Sequence, residues 1–289
     1  MNGLDFIKSK QQAWAKRNGF ELLGGTIPDR GEKNYLYNLT DNLFEELSKE
    51  SLDCYNSGDG GETRNTKTRL AKMKALHSSS AIVVNLFQYW TGKTVVPLLY
   101  ACKLCSESAK GVSTTIKFEE KFEISKDKAQ FPFSPNLDVV IGGSQSLVYA
   151  IESKFTEPYS SRKHSGIKQK YIDNPFFWNG LPNLYELAKE ICPSDNKFQY
   201  LDAPQLMKHI LGLKKKHNKV GFRLLYLWYD VVGEKGYEHR KEIEQFAEIA
   251  KKDNINFSNI TYQEVIITLT KKLYDGNESY CDYLTNRYL

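Results

Sequence analysis

The stretch from Asn136 to Phe155 constrains this chain more than any other. Leu137–Ile141 and Leu147–Phe155 are two largely apolar runs, and Gly142-Gly143-Ser144-Gln145-Ser146 joins them. Two such runs around a short glycine-bearing link predict a β-hairpin. Side chains alternate faces along a strand, so Glu152 and Lys154 share one face, with Tyr149, Ile151, Ser153 and Phe155 on the other. Asp138, near the start of the partner strand, can face the same spot. A carboxylate and an ammonium on a packed strand face are costly unless they are paired or used. A Glu and a Lys at this spacing ordinarily form a solvated surface pair. Here they and Asp138 interrupt two strands whose other residues are mostly apolar, which favours a site.

The surrounding pattern predicts the architecture. Helical spacing runs over 4–17, 40–54, 66–90 and 95–107, and again over 183–191, 203–216 and 237–252. Val112–Ile124 alternates around Ile116, Phe118 and Phe122 as a strand does, and Gly221–Val232 reads as a buried strand. Helices, three strands, helix, strand, helix is the order of an α/β fold: a mixed central sheet flanked by helices. We expect a single domain over 1–289, with an N-terminal helical elaboration over about 1–74 and a core over about 75–270. A chain of 289 residues buries about three quarters of its unfolded surface, so it needs no disulfide or metal staple.

Composition removes whole classes. With 40% hydrophobic and 13% aromatic residues the chain is not disordered. No stretch approaches the apolar length of a membrane span, and MNGLDFIKSKQQAWAKR has no signal-peptide core. Five scattered cysteines predict reduced thiols, so the expectation is a cytoplasmic protein without a membrane. A net charge of +5 permits a polyanionic partner without demonstrating one.

Two carboxylates and a lysine on adjacent strands suit metal-dependent phosphodiester hydrolysis. Mg²⁺ takes oxygen ligands, keeps several waters, and binds through one or two carboxylates plus substrate phosphate. The metal activates water and polarises the phosphoryl oxygen, and a lysine stabilises the charge that develops there. Together they must supply much of a barrier reduction of roughly 8–23 kcal/mol.

Asp138 followed by Glu152-Ser153-Lys154 resembles the PD-(D/E)xK signature of restriction-endonuclease-like nucleases. Pro135 stands three positions before Asp138 rather than beside it, a departure from that pattern. His77-Ser78-Ser79-Ser80, Asn85-Leu86-Phe87, Phe118-Glu119, Ile151–Glu157, and Gln205-Leu206 with His209 are similar to segments of bacterial type II restriction endonucleases. The resemblance implies a Mg²⁺-dependent DNA endonuclease, with Mn²⁺ as a substitute. Asp138 and Glu152 would hold the metal, with the Ser153 carbonyl as a further ligand, and Lys154 would stabilise the transition state. It also implies double-stranded DNA as substrate, a homodimer that cuts both strands, and a companion methyltransferase. Many of these nucleases add an acid from the first core helix. None occurs between Lys74 and Cys105, which leaves Glu119 for that role or leaves it empty. Gln205 is the type of polar residue that several members place beside the site.

Basic clusters are secondary evidence. Arg162, Lys163, Lys168 and Lys170 directly follow the hairpin and are the candidate nucleic-acid contacts, although a charge run is commonly just a solvated face. Other motifs fail. Thr91-Gly-Lys-Thr94 lacks the upstream glycine of a P-loop, Cys102 and Cys105 have no second ligand pair, and no Gly-x-Ser-x-Gly elbow occurs. Two alternatives stay open: a binding module that keeps the fold without cutting, and a repair, recombination or mobile-element nuclease.

Overall fold

The computed structural model describes residues 3–57, 61–161 and 165–289. Helices α1 (Gly3–Arg17), α2 (Lys49–Ser57), α3 (Ser79–Phe87) and α4 (Val96–Ala101) precede three strands. These are β1 (Ile116–Lys121), β2 (Asn136–Gly142) and β3 (Val148–Lys154). Helices α5 (Gln169–Ile172), α6 (Pro182–Glu190) and α7 (Ala203–His217) then lead to β4 (Phe222–Trp228). The chain closes with α8 (Glu234–Lys252), β5 (Phe257–Thr261), α9 (Tyr262–Lys272) and α10 (Glu278–Tyr288).

The five strands lie in chain order in one sheet. β1, β2 and β3 pair antiparallel, whereas β3–β4 and β4–β5 are parallel. β4 is buried along nearly its whole length, as a central parallel strand must be when both sheet faces are covered. One face packs Val139, Ile141, Ile151, Leu225 and Ile260 against residues of α3, α4, α9 and α10. The other packs Val140, Ala150, Leu224 and Tyr226 against residues of α6, α7 and α8. The class is therefore α/β, in three layers, consistent with a restriction-endonuclease-like fold.

The hairpin forms as expected, with Val139 opposite Ile151 and Gly142 opposite Val148. Three helical expectations shrink. The 40–54 stretch is a short 3₁₀ turn at Thr40–Asn42 and then α2. Of 66–90, the α-helix is α3 alone, begun by Ser78, whose side chain accepts from the Ala81 N–H. The basic residues before it bury no continuous apolar stripe, and the chain there makes isolated bridges such as Thr26 to Arg69. Helix α4 stops at Ala101, shortly before Lys103 takes a left-handed backbone, φ 58°. The β5–α9–α10 ending had no counterpart in the sequence reading.

The N-terminal segments pack into the core: Ile7, Leu43 and Tyr55 share one apolar cluster with Ile116 and Val139. Tyr55 of α2 lies against Phe118 of β1, ring centres 5.8 Å apart. On the opposite face α7 approaches closely because Gly212 has no side chain. A methyl group there would come within 2.7 Å of the Phe122 carbonyl oxygen. Among the described residues no helix is long and apolar enough to cross a membrane. All five cysteines are free thiols.

Candidate active site

The site lies where β2 peels away from β3. The β2–β3 ladder ends at Val139 opposite Ile151, while β3 keeps pairing with β4 as far as Lys154 opposite Trp228. Continuing the lost register would set Asp138 beside Glu152. Instead of a ladder bond, the Ser153 N–H donates to Asp138 Oδ2 at 2.6 Å. The side chain thus replaces a backbone acceptor at the point of divergence. Ser153 faces the other way, its hydroxyl 2.7 Å from the Tyr262 hydroxyl, as strand alternation requires.

On the β1 side, pairing skips the Glu119–Asp138 position between Phe118–Val139 and Glu120–Leu137. Glu119 there has φ 55°, a left-handed conformation rare for a residue with a long side chain. Its carboxylate accepts a hydrogen bond from the Asn136 amide.

Helix α7 supplies the opposite wall. Gln205 and His209, one turn apart, project from the same face onto β3. Lys154 Nζ donates to Glu152 Oε1 at 2.6 Å and to Gln205 Oε1 at 2.9 Å. His209 Nε2 comes within 3.0 Å of Glu152 Oε2. That buried contact is the one Glu152 Oε2 makes with a polar side chain among the described residues, and His209 Nδ1 is buried without a hydrogen-bond partner there. Asp202 begins α7 by accepting the Gln205 N–H at 2.9 Å, which fixes where Gln205 starts.

The electrostatics are unbalanced. Burial opposes the charge of Glu152, but Lys154 and His209 outweigh it and hold the carboxyl down at about 2. Asp138 moves the other way, well above the usual carboxylate range, because of desolvation and then the negative charge of Glu152. Desolvation, with Glu62 and Glu152 beside it, pushes Glu119 up to about 7. Burial also works against the Lys154 ammonium, yet Glu152, Asp138 and Glu157 raise its pKa above the ordinary lysine value. Three carboxylates face one lysine.

Such a cluster lacks positive charge, and a hard divalent cation fits that lack. Its donors are carboxylate oxygens, one of them, Glu152 Oε2, buried with His209 Nε2 3.0 Å away. No group of three or more His, Cys, Asp and Glu side chains converges as a ready cage among the described residues. Mg²⁺ needs no such cage, since one or two carboxylates and water suffice.

Asp138, Glu152, Lys154, Glu119 and Gln205 therefore meet at one place, with the Ser153 backbone between the first three. The basic candidates divide. Arg162 and Lys163 lie outside the described residues. Lys168 is exposed beside the site, whereas the Lys170 ammonium donates to the Gln130 carbonyl and sits 4.6 Å from the Phe131 ring centre. Asn85 takes no part in this site: its amide bonds Phe44 N–H, the Asn42 carbonyl and the Tyr288 hydroxyl.

Glu62 was missed by sequence reasoning. It lies in the loop before α3 and accepts from Ser80 Oγ on that helix at 2.9 Å, close enough for its charge to act on Glu119. No helical spacing marks it, because it reaches the first core helix through a tertiary contact.

The chain matches the family model described as REase-ARP, Restriction Endonuclease associating with ARP, over residues 8–289, and it belongs to that family. Neither the curated proteins nor the solved structures gave a match.

Proposed function

We propose that this member of the restriction-endonuclease family is a Mg²⁺-dependent DNA endonuclease of the PD-(D/E)xK type. The observation that carries the reading is the buried cluster of Asp138, Glu152 and Glu119 gathered around Lys154, with His209 against the second Glu152 oxygen. Asp138 and Glu152 would hold the metal, with the Ser153 carbonyl as a further oxygen donor. A bound Mg²⁺ would supply an activated water and neutralise phosphoryl charge. Glu62 takes the place of the first-helix acid that α3 lacks.

The chain's own residues do the rest. Glu152 keeps its proton off and holds the Lys154 ammonium in place. Gln205 holds that ammonium from the other side, so its charge points at a fixed position where a phosphoryl oxygen can sit. The Ser153 N–H orients Asp138 through one oxygen and leaves the other free. Net hydrolysis adds water across one P–O bond, leaving a phosphate on one strand end and a hydroxyl on the other.

Double-stranded DNA is the substrate this reading favours, and a homodimer would place a site on each strand. The family description names an associated factor, ARP, which we take as a partner of this chain. A companion methyltransferase belongs to the same restriction reading. The test is incubation of supercoiled and linear plasmid DNA with Mg²⁺ or Mn²⁺, beside EDTA and a Lys154→Ala variant. Discrete metal-dependent fragments that vanish in the variant are expected. Binding without any cleavage would instead identify a non-cutting module on this fold.

A further inference from the structure

Beside the cluster opens a cavity of about 310 Å³, walled by Gln205, Lys208 and His209 of α7, by Gly166–Lys168, and by Phe133–Asn136. It shares Gln205 and His209 with the site, so whatever fills it lies next to Lys154 and Glu152. Its size is at the lower end of small-ligand pockets.

Its lining has a particular chemistry. Lys208 is half-buried, and its ammonium makes no hydrogen bond and no ion pair among the described residues. Burial and the positive charges of Lys168 and Lys154 depress its pKa, while Asp202 and Glu152 oppose that shift. A lysine held without a partner, near two further lysines, is short of an anion. At the rim, Phe133 is 81% exposed, on the loop that leads into β2. A bare aromatic face beside unpaired cations suits a nucleotide, whose phosphate takes the charge and whose base takes the ring.

We propose that this cavity is a subsite for one nucleotide of the DNA strand being cut, adjacent to the scissile phosphate. Lys208 and Lys168 bind its phosphate, and Phe133 stacks on its base once that base leaves the duplex. The inference rests on the nuclease reading and names how that site grips its substrate.

Fluorescence-anisotropy titration of the full chain in EDTA with a fluorescein-labelled 12-nucleotide single strand, over a series of salt concentrations, tests it. Lys208→Met is expected to lower the slope of log affinity against log salt by about 0.7, the value for one phosphate contact on a single strand. Lys168→Ala, at an exposed position that tolerates truncation, gives the same loss. Phe133→Ala weakens binding by about tenfold and leaves the slope unchanged. Wild-type slopes in both lysine variants, from a protein that binds the strand and cuts plasmid DNA, would overturn the subsite alone. A wild-type chain that neither binds nor cuts DNA would overturn the nuclease reading as well.

Discussion

Two regions of this molecule hold ionised side chains away from water, and they are built on opposite terms. Arg287, in α10, is 1% exposed and forms no ion pair with an acid among the described residues. Its guanidinium donates to Gln11 Oε1, the Asn42 carbonyl, Asn42 Oδ1, the Tyr283 hydroxyl and the Leu76 carbonyl. That is one acceptor for each of its donors, with the Trp14 ring 4.1 Å away. Asn42 in turn donates to the Met73 and Ala75 carbonyls. The knot ties α1, the loop before α2, the approach to α3 and the last helix into one unit.

The carboxylate cluster is the reverse. It gathers more carboxyl groups than Lys154 could offset if all were ionised, it leaves Glu152 Oε2 without a well-aligned hydrogen bond, and it holds Glu119 in a left-handed backbone. Burial of charge is common to both regions and so identifies neither. What separates them is completeness: a satisfied network stabilises the fold, while an unsatisfied one keeps its binding capacity for something else.

The sharpest way to break this contrast is a pair of substitutions with opposite signatures. Asp138→Asn keeps an oxygen for the Ser153 N–H and removes a carboxyl whose ionisation burial, Glu152 and Glu119 all oppose. It is expected to cut DNA cleavage by about a thousandfold, the upper range for losing one electrostatic group. Its metal-free melting temperature should equal or exceed that of the wild type. A clear drop on calorimetry would show that the cluster is structural after all.

Arg287→Met should do the opposite. It strands the neutral acceptors of the knot and costs about 1–3 kcal/mol, or roughly 5 °C in melting temperature. Cleavage per folded molecule should stay at the wild-type rate below the transition. Thermal melting followed by circular dichroism, with activity normalised to folded protein, checks both halves.

The smallest effect is the pH dependence of metal-free stability. Glu119 is pushed up to about 7, so between about 4.5 and 7 the folded chain keeps a proton that the unfolded chain has lost. Stability therefore falls as pH rises through that window, by at most about 1.4 kcal/mol per pH unit for this group. Glu152, held at about 2, contributes in the other sense, and its stabilisation is lost only as pH falls toward that value. Urea titrations at several pH values should show the fall, and saturating Mg²⁺ should flatten it. A slope that Mg²⁺ leaves untouched would separate Glu119 from the metal.

The hairpin was legible from the sequence because its evidence is local. A period of two places Glu152 and Lys154 on one face, and a glycine-bearing link brings Asp138 alongside. Gln205 was legible only through the resemblance, since helical spacing says which residues share a face but not which strand that face will meet. The helices over-extended from the sequence at 40–54 and 66–90 failed for a related reason, the lack of a continuous buried stripe. The 95–107 stretch keeps its buried residues but turns out of the helix near Lys103, whose backbone is left-handed. Asn85 sat among segments similar to a nuclease and was absorbed by the Arg287 knot.

The sequence by itself determined the α/β class, the hairpin and the trio of Asp138, Glu152 and Lys154, because strand alternation and turn chemistry act over a few residues. Tertiary structure alone decided that β2 leaves β3 at Asp138, that α7 brings His209 against Glu152, and that Glu62 docks on α3. It also decided which buried charge ended with every donor met and which did not. Desolvation and pairing depend on everything that packs around a group, and that environment is assembled from residues scattered along the whole chain.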